Sequence, residues 1–233
     1  MRALKTDATY QADLFGRPHQ AEMTAPEGFR HWAEIFSPEV EMDLVRHIAE
    51  LPFKPFEFHG HLGYRRVVSF GFRYDYARRT IERSEPMAAF LLVVRRELAA
   101  VAGKPEAAFV QALINEYPPG AGIGWHRDKP QFDLVMDLSL LAPCVLRFRR
   151  AAGVKWDRAA VPLARRSAYL STGPARAAWE HSITPLEALR YSITLEPCFS
   201  PHQNQVARRL APRAPRGRPL CRAPLNPSES RWL

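Results

Sequence analysis

His126-Arg127-Asp128 is the first stretch of this 233-residue chain whose residue types and spacing could do chemistry. In extended backbone, side chains two apart point the same way, so an imidazole and a carboxylate at that spacing can grip one cation. A solvated His and Asp pair fits the same three residues. His181, opening another strand-like segment after Trp179-Glu180, could add a second imidazole. Two His and one carboxylate form the facial set that holds non-haem Fe(II) and leaves positions open for cosubstrate and O2. Taken alone, His181 reads equally as a hydrogen-bonded core histidine.

Nine residues on, Arg190-Tyr191-Ser192-Ile193-Thr194 alternates, placing Arg190, Ser192 and Thr194 on one face. An inward arginine on a strand requires an anion, because an unpaired buried charge is costly. A dicarboxylate cosubstrate would satisfy it through a bidentate fork, and so would a structural Asp or Glu. Upstream, the alternation of Phe109 to Tyr117 puts Asn115 and Tyr117 on the face of Phe109 and Leu113. Two polar tips on an apolar face suit a ligand, a Tyr at a barrel rim being the alternative. Gly120, Gly122 and Gly124 run into Trp125-His126 rather than into a helix, so they fail the dinucleotide pattern and read as a flexible loop leading to the site. His59-Gly60-His61 has no matching carboxylate and reads as a surface loop.

The elements that must position these residues are legible from punctuation and period. Ser37 as N-cap, Pro38 and Glu39 open a helix over 38–51, with Val40, Leu44, Val45, Ile48 and Leu51 as its stripe. Ser84, Glu85 and Pro86 repeat that signal before Met87, Phe90, Leu91, Val94, Leu98 and Val101, with a stop at Gly103. Strands are expected over 66–72, 109–117, 134–141, 145–149, 167–171, 181–184 and 190–195. Helices first and many short strands afterwards indicate an α+β domain with a sandwich or barrel core.

Composition agrees. A hydrophobic content of 46% suits a packed globule. The longest apolar run, Met87 to Val94, is too short to span a bilayer, and the start has no apolar signal region, so a cytoplasmic protein with no membrane partner is expected. Cys144, Cys198 and Cys221 form no CxxC pair and suit a reducing compartment. Of the net charge of +9, six positive charges come from residues 201–233, where seven Arg face Glu229 alone among six Pro. That composition cannot bury a core. The chain therefore divides into a polar leader (1–26), one domain (27–197) and a disordered Arg/Pro-rich tail (198–233).

Taken in order, Asn115-Glu-Tyr117-Pro-Pro-Gly120 through His126-Arg-Asp128, then Ser139 to Phe148, His181 and Arg190 to Thr194, the chain resembles the AlkB family of Fe(II)/2-oxoglutarate-dependent dioxygenases over most of residues 27–195. The resemblance implies a double-stranded β-helix, or jelly roll, with flanking N-terminal helices, and Fe(II), 2-oxoglutarate and O2 as cofactor and cosubstrates. It implies that His126, Asp128 and His181 are the iron ligands and that Asn115, Tyr117, Arg190 and Ser192 contact 2-oxoglutarate, Arg190 taking the distal carboxylate. It also implies oxidative dealkylation of alkylated nucleic acid bases by a monomer, an N-methyl group being hydroxylated and lost as formaldehyde. A protein or small-molecule hydroxylase with the same iron site, and an inactive nucleic-acid-binding module, are the alternatives. The family commonly carries a second Arg six residues after the one matching Arg190. Glu196 stands there in this chain and is expected to weaken cosubstrate binding or alter substrate choice.

The segment from Arg65 to Tyr76 interleaves Phe70, Phe72, Tyr74 and Tyr76 with Arg65, Arg66 and Arg73, and resembles the family's substrate-recognition strand and lid. Arg73, Tyr74 and Tyr76 are the expected substrate residues, with a base stacked on a tyrosine. Aromatic and arginine side chains on an ordinary strand give the same pattern. Trp125 and Trp179, each beside an expected ligand, are expected to pack around the site rather than touch substrate.

Overall fold

A computed structural model of the chain describes residues 25–58, 61–75, 80–128 and 132–197. Residues 1–24 of the leader, His59, Tyr76 and the Arg/Pro-rich tail lie outside these residues. The described chain opens with β1 (Phe29–Trp32) and α1 (Pro38–Ala49), and continues through β2 (Lys54–Phe58), β3 (His61–Phe70), β4 (Phe72–Asp75) and β5 (Thr80–Arg83). After α2 (Ala89–Ala102) come β6 (Phe109–Tyr117), β7 (Ile123–His126), β8 (Leu134–Leu141), β9 (Cys144–Ala152), β10 (Lys155–Leu163) and β11 (Ala168–Thr172). A short α3 (Gly173–Ala177) precedes β12 (Glu180–Ile183) and β13 (Arg190–Pro197).

The strands form a major sheet in the order β1-β11-β8-β13-β6-β3-β2 and a minor sheet β10-β9-β12-β7, with β4 and β5 a separate hairpin. Neighbouring strands in all three are antiparallel. The helices cover one face of the major sheet: Leu44, Ile48, Leu91, Val94 and Leu98 share a core with Ile114, Met136, Leu138, Leu140, Ile193 and Leu195. A second core joins Leu146, Phe148, Leu163, Trp179 and Ile183 of the minor-sheet side to Phe29 and Tyr169 of the major sheet. The interior between the two sheets is therefore apolar on one side of the expected site, and this is the jelly-roll arrangement with flanking helices.

The first helix forms as its sequence requires: the Ser37 hydroxyl accepts from the Val40 N–H at 3.4 Å, with Pro38 following and Arg46 and His47 in the last turn. The second helix stops at Gly103, whose φ of 65° is left-handed. Its start lies later than the punctuation suggests. Ala88 is the N-cap, while the Ser84 hydroxyl donates to the Ser69 carbonyl and Glu85 bridges Phe70, so the Ser-Glu signal closes a hairpin instead.

The expected strand over 66–72 divides at Gly71, where φ is +75° and a Cβ would lie 2.0 Å from the Val110 carbonyl oxygen. Only glycine allows that approach, and the chain turns there from the major sheet into the separate hairpin. Strands β2 and β10 lay outside the sequence expectation because each carries a proline (Pro55, Pro162). Both are sheet edges, where a missing N–H is tolerated. The GxGxG segment is not a loose loop. Gly120 N–H donates to Leu186 O at 2.7 Å, Leu186 N–H donates to Ala121 O at 3.0 Å, and Ile123–His126 pair with β12.

Candidate active site

Adjacent strands of the minor sheet bring the ligand types together. His126 ends β7 and His181 stands opposite it on β12, so the two rings lie on one face with centroids 4.2 Å apart. Asp128 follows two residues later, its Oδ1 3.6 Å from His181 Nε2. One donor atom from each of the three residues lies within 4.8 Å of the others, the one such His/Cys/Asp/Glu group among the described residues. Two imidazole nitrogens and one carboxylate oxygen, all half-buried, match the donor set of a two-His, one-carboxylate metal site. The His126 Nδ1–H donates to the Gly124 carbonyl at 2.9 Å, which leaves the Nε2 lone pair for a cation. Burial, together with the neighbouring His181, pushes the His126 pKa down to about 4, so its ring is neutral near pH 7.

The major sheet supplies a polar lining. Its register sets Asn115, Ser192 and Ser139 on one rung, Thr194 and Asp137 on the next, and Arg190 beside Tyr117. Paired residues on neighbouring strands share a face, and the intervening Ile114, Leu138 and Ile193 point into the helix-covered core. Arg190 is 1% exposed. Its Nε donates to Ser139 Oγ at 3.2 Å, its guanidinium lies 5.1 Å from the Tyr117 ring centroid, and its Nη1 has no hydrogen-bond partner among the described residues. A buried guanidinium with an open donor fits a carboxylate. The donor sets on the two sheets thus suit a divalent metal and an acidic cosubstrate respectively.

Asn115 is already engaged: its carboxamide oxygen accepts from Arg65 Nη1 at 2.8 Å, and its Nδ2 faces Ser192 Oγ at 3.2 Å and Thr194 Oγ1 at 3.4 Å. It braces the lining and orients Arg65, which lies over the Phe56 ring at 4.1 Å. Tyr117 and Ser192 are buried on the same inner face. Arg73, on the separate hairpin, forms a cross-strand ion pair with Glu82 at 2.7 Å. Tyr74 belongs to β4, and Tyr76 lies outside the described residues. Trp179 packs in the second core, while the guanidiniums of Arg147 and Arg149 lie over the Trp125 ring at 5.1 and 4.5 Å from its centroid.

Three charged residues of this interior were not singled out or not placed by the sequence. Asp137 is 4% exposed on the inner face of β8, and its signal was a lone carboxylate in phase with Ser139 inside an apolar strand. Arg176, on α3, is buried. Burial lowers its pKa against the opposing pull of Asp128 and Glu196, which places its charge near both carboxylates. Glu196 is buried on the last strand opposite Gln111.

The described residues include no helix long and apolar enough to cross a membrane. Against known proteins, the model of the 2OG-Fe(II) oxygenase superfamily matches residues 29–211. The mouse tRNA (carboxymethyluridine(34)-5-O)-methyltransferase ALKBH8 is 31% identical over 170 residues, 69% of this chain but 24% of that protein. The Arabidopsis thaliana alkylated DNA repair protein ALKBH8 homolog is 28% identical over 146 residues, 52% of this chain and 42% of that one. The chain thus spans less than half the length of these relatives. Among solved structures, OsALKBH1 superposes with a TM-score of 0.55 at 14% identity, covering 72% of this chain and 97% of that one, a likeness of fold.

Proposed function

Because the chain belongs to the 2OG-Fe(II) oxygenase superfamily, with AlkB-like relatives, we propose that it oxidatively removes alkyl groups from nucleic acid bases, His126, Asp128 and His181 holding the iron and Arg190 seating the distal carboxylate of 2-oxoglutarate. The enzyme is a dioxygenase that uses Fe(II), 2-oxoglutarate and O2. Together these supply the hydroxylation of a substrate C–H bond, the cosubstrate leaving as succinate and CO2. The rest is the work of the chain. The Gly124 carbonyl fixes the ring of His126, and Phe148, 6.2 Å from the His181 ring, excludes water from that side. Tyr117 and Ser139 hold the Arg190 fork in one plane.

The observation that carries this reading is the placing of a His/Asp/His cluster on one sheet and a buried guanidinium with an open N–H on the other. A nucleic acid substrate is supported by the names of the mouse and Arabidopsis relatives, which concern tRNA and alkylated DNA. It is also supported by Arg65, which donates to Asn115 of the lining and lies over the Phe56 ring, a pairing suited to phosphates and bases. Arg73, Tyr74 and Tyr76 stay with this proposal as the expected substrate residues.

The test is turnover of single-stranded RNA and DNA carrying N-methylated bases, with Fe(II), 2-oxoglutarate and air. Formaldehyde and succinate in equal amounts, both lost in Asp128→Ala, are expected. Succinate formed with neither nucleic acid demethylated would move the substrate to another class.

A further inference from the structure

The interior holds a carboxylate that the reading above does not use. Asp137 lies on the inner face of β8, 4% exposed, and its Oδ2 accepts from the Thr194 hydroxyl at 2.7 Å. Its Oδ1 lies 3.8 Å from Arg190 Nη2, too far for a hydrogen bond, and has no hydrogen-bond partner among the described residues. The same guanidinium therefore has an internal carboxylate beside Nη2 and an open donor at Nη1. A dicarboxylate seated on Arg190 brings a second carboxylate to a fork that already has one beside it. Two like charges in one closed site disfavour each other's ionised forms, whereas a carboxyl beside a carboxylate makes a short, strong hydrogen bond.

On that basis we propose that 2-oxoglutarate binding takes up one proton at Asp137, so that the cosubstrate's distal carboxylate is received by Arg190 together with the hydroxyl of a neutral carboxyl group. The proposal rests on Arg190 being the seat of that carboxylate and specifies how the seat is balanced.

The groups facing Asp137 agree with it. From β13 come Arg190, Ser192 and Thr194; from β11 comes Tyr169, its register partner; from β9 comes Cys144; and the charge of Asp128 reaches it from beyond β7. Burial holds the Tyr169 and Cys144 protons on, so Arg190 is the favourable charge beside Asp137 and Asp128 the unfavourable one. Before any ligand arrives, burial has already raised Asp137 to about 6 against the pull of Arg190. An incoming carboxylate shares that pull and raises Asp137 further. The sign follows: a group whose pKa rises on binding takes up protons, so binding tightens as pH falls.

Calorimetric titration of 2-oxoglutarate into the Fe(II)-loaded protein under strict anaerobiosis, at about pH 7.5 in two buffers of different ionisation enthalpy, counts the protons. With both imidazoles bound to the metal before the titration begins, they exchange no protons when the cosubstrate binds. Uptake close to one proton is expected, with Kd weakening by up to about tenfold between pH 7 and 8. In Asp137→Asn the uptake falls to zero and the Kd becomes flat with pH. Binding without proton uptake in the unaltered protein overturns the proposal while leaving the seat at Arg190 intact, and so does uptake that persists in both Asp137→Asn and Asp137→Ser. No binding heat at all overturns the seat, and the proposal with it. The decisive count is made on the unaltered chain, so it does not depend on how the variants fold.

Discussion

Arg190 and His126 do different things with burial. At His126, burial lowers the pKa and so keeps the ring unprotonated for a cation; at Arg190, burial leaves a guanidinium with an open N–H that suits an anion. Replacing Arg190 by Lys keeps the charge and loses the fork and the Ser139 contact. The expected result is a rise of about 10- to 100-fold in KM for 2-oxoglutarate, equivalent to about 1.5–3 kcal/mol, with Fe(II) affinity unchanged. Succinate formation against cosubstrate concentration measures the first and equilibrium dialysis of the metal the second. These residues were legible in the sequence because strand alternation fixes which side chains share a face. His181 was legible only beside His126 and Asp128, since one strand says nothing of its neighbour. Asp137 was not read: its partner, Arg190, is 53 residues away and meets it only through the pairing of β8 with β13.

The loop from Gly120 to Gly124 sets the spacing of the ligand cluster. A Cβ at Gly122 would lie 2.6 Å from the Ile183 carbonyl oxygen and 2.8 Å from Pro185 N, so Gly122→Ala must push this loop away from the end of β12. Since β7 carries His126 and β12 carries His181, the expected outcome is a loss of at least about tenfold in Fe(II) affinity, with a lower Tm. Gly120 has nothing within 4 Å of the same position but a φ of +85°. There Gly→Ala is expected to cost about 1–2 kcal/mol in stability, seen as a lower urea midpoint, without loosening the metal. Comparing the two variants separates strain from displacement. The glycines were visible in the sequence, yet they read as flexible because glycine permits both freedom and close approach. The deciding groups, the Ile183 and Leu186 carbonyls, are some sixty residues downstream. The helices were better read, because their caps and stripes are local; the displaced start of α2 shows the limit, Ser84 and Glu85 being taken by Ser69 and Phe70 of β3.

At the scale of the molecule, the helix layer is fastened to the sandwich by Glu41. The side chain is fully buried; Oε1 accepts from the Leu141 N–H at 2.8 Å and Oε2 from Arg165 at 2.6 Å, with Arg166 Nη1 at 3.5 Å. Leu141 and Arg166 both hold left-handed backbone, φ 65° and 60°, so the carboxylate secures two strained turns at the edge of the barrel. Burial pushes the Glu41 pKa up, but Arg165, the Leu141 amide and Arg166 outweigh it and hold the group below its ordinary 4.5. A depressed carboxylate contributes stability that is present above the unfolded value and lost as pH falls through the folded one. Urea unfolding of Glu41→Gln is expected to show a loss of about 2–4 kcal/mol at neutral pH, and the gap to the unaltered protein is expected to narrow below about pH 4.5. The sequence did not single out Glu41, because its partners lie a hundred residues and more along the chain. On the proposed reading, the same packing of one sheet against the other builds the active site, with His126 and His181 of the minor sheet as metal donors and Arg190 of the major sheet as the seat of the cosubstrate. The most direct test of that claim is an anaerobic titration of the Fe(II)-loaded protein with 2-oxoglutarate, following the visible charge-transfer absorption of a 2-oxo acid chelated to Fe(II). The expected result is a band that saturates at one cosubstrate per chain, is absent in His126→Ala, Asp128→Ala and His181→Ala, and needs far more 2-oxoglutarate in Arg190→Lys. A band that persists in any of the three ligand variants with unchanged intensity, or that forms equally well in Arg190→Lys, would contradict it.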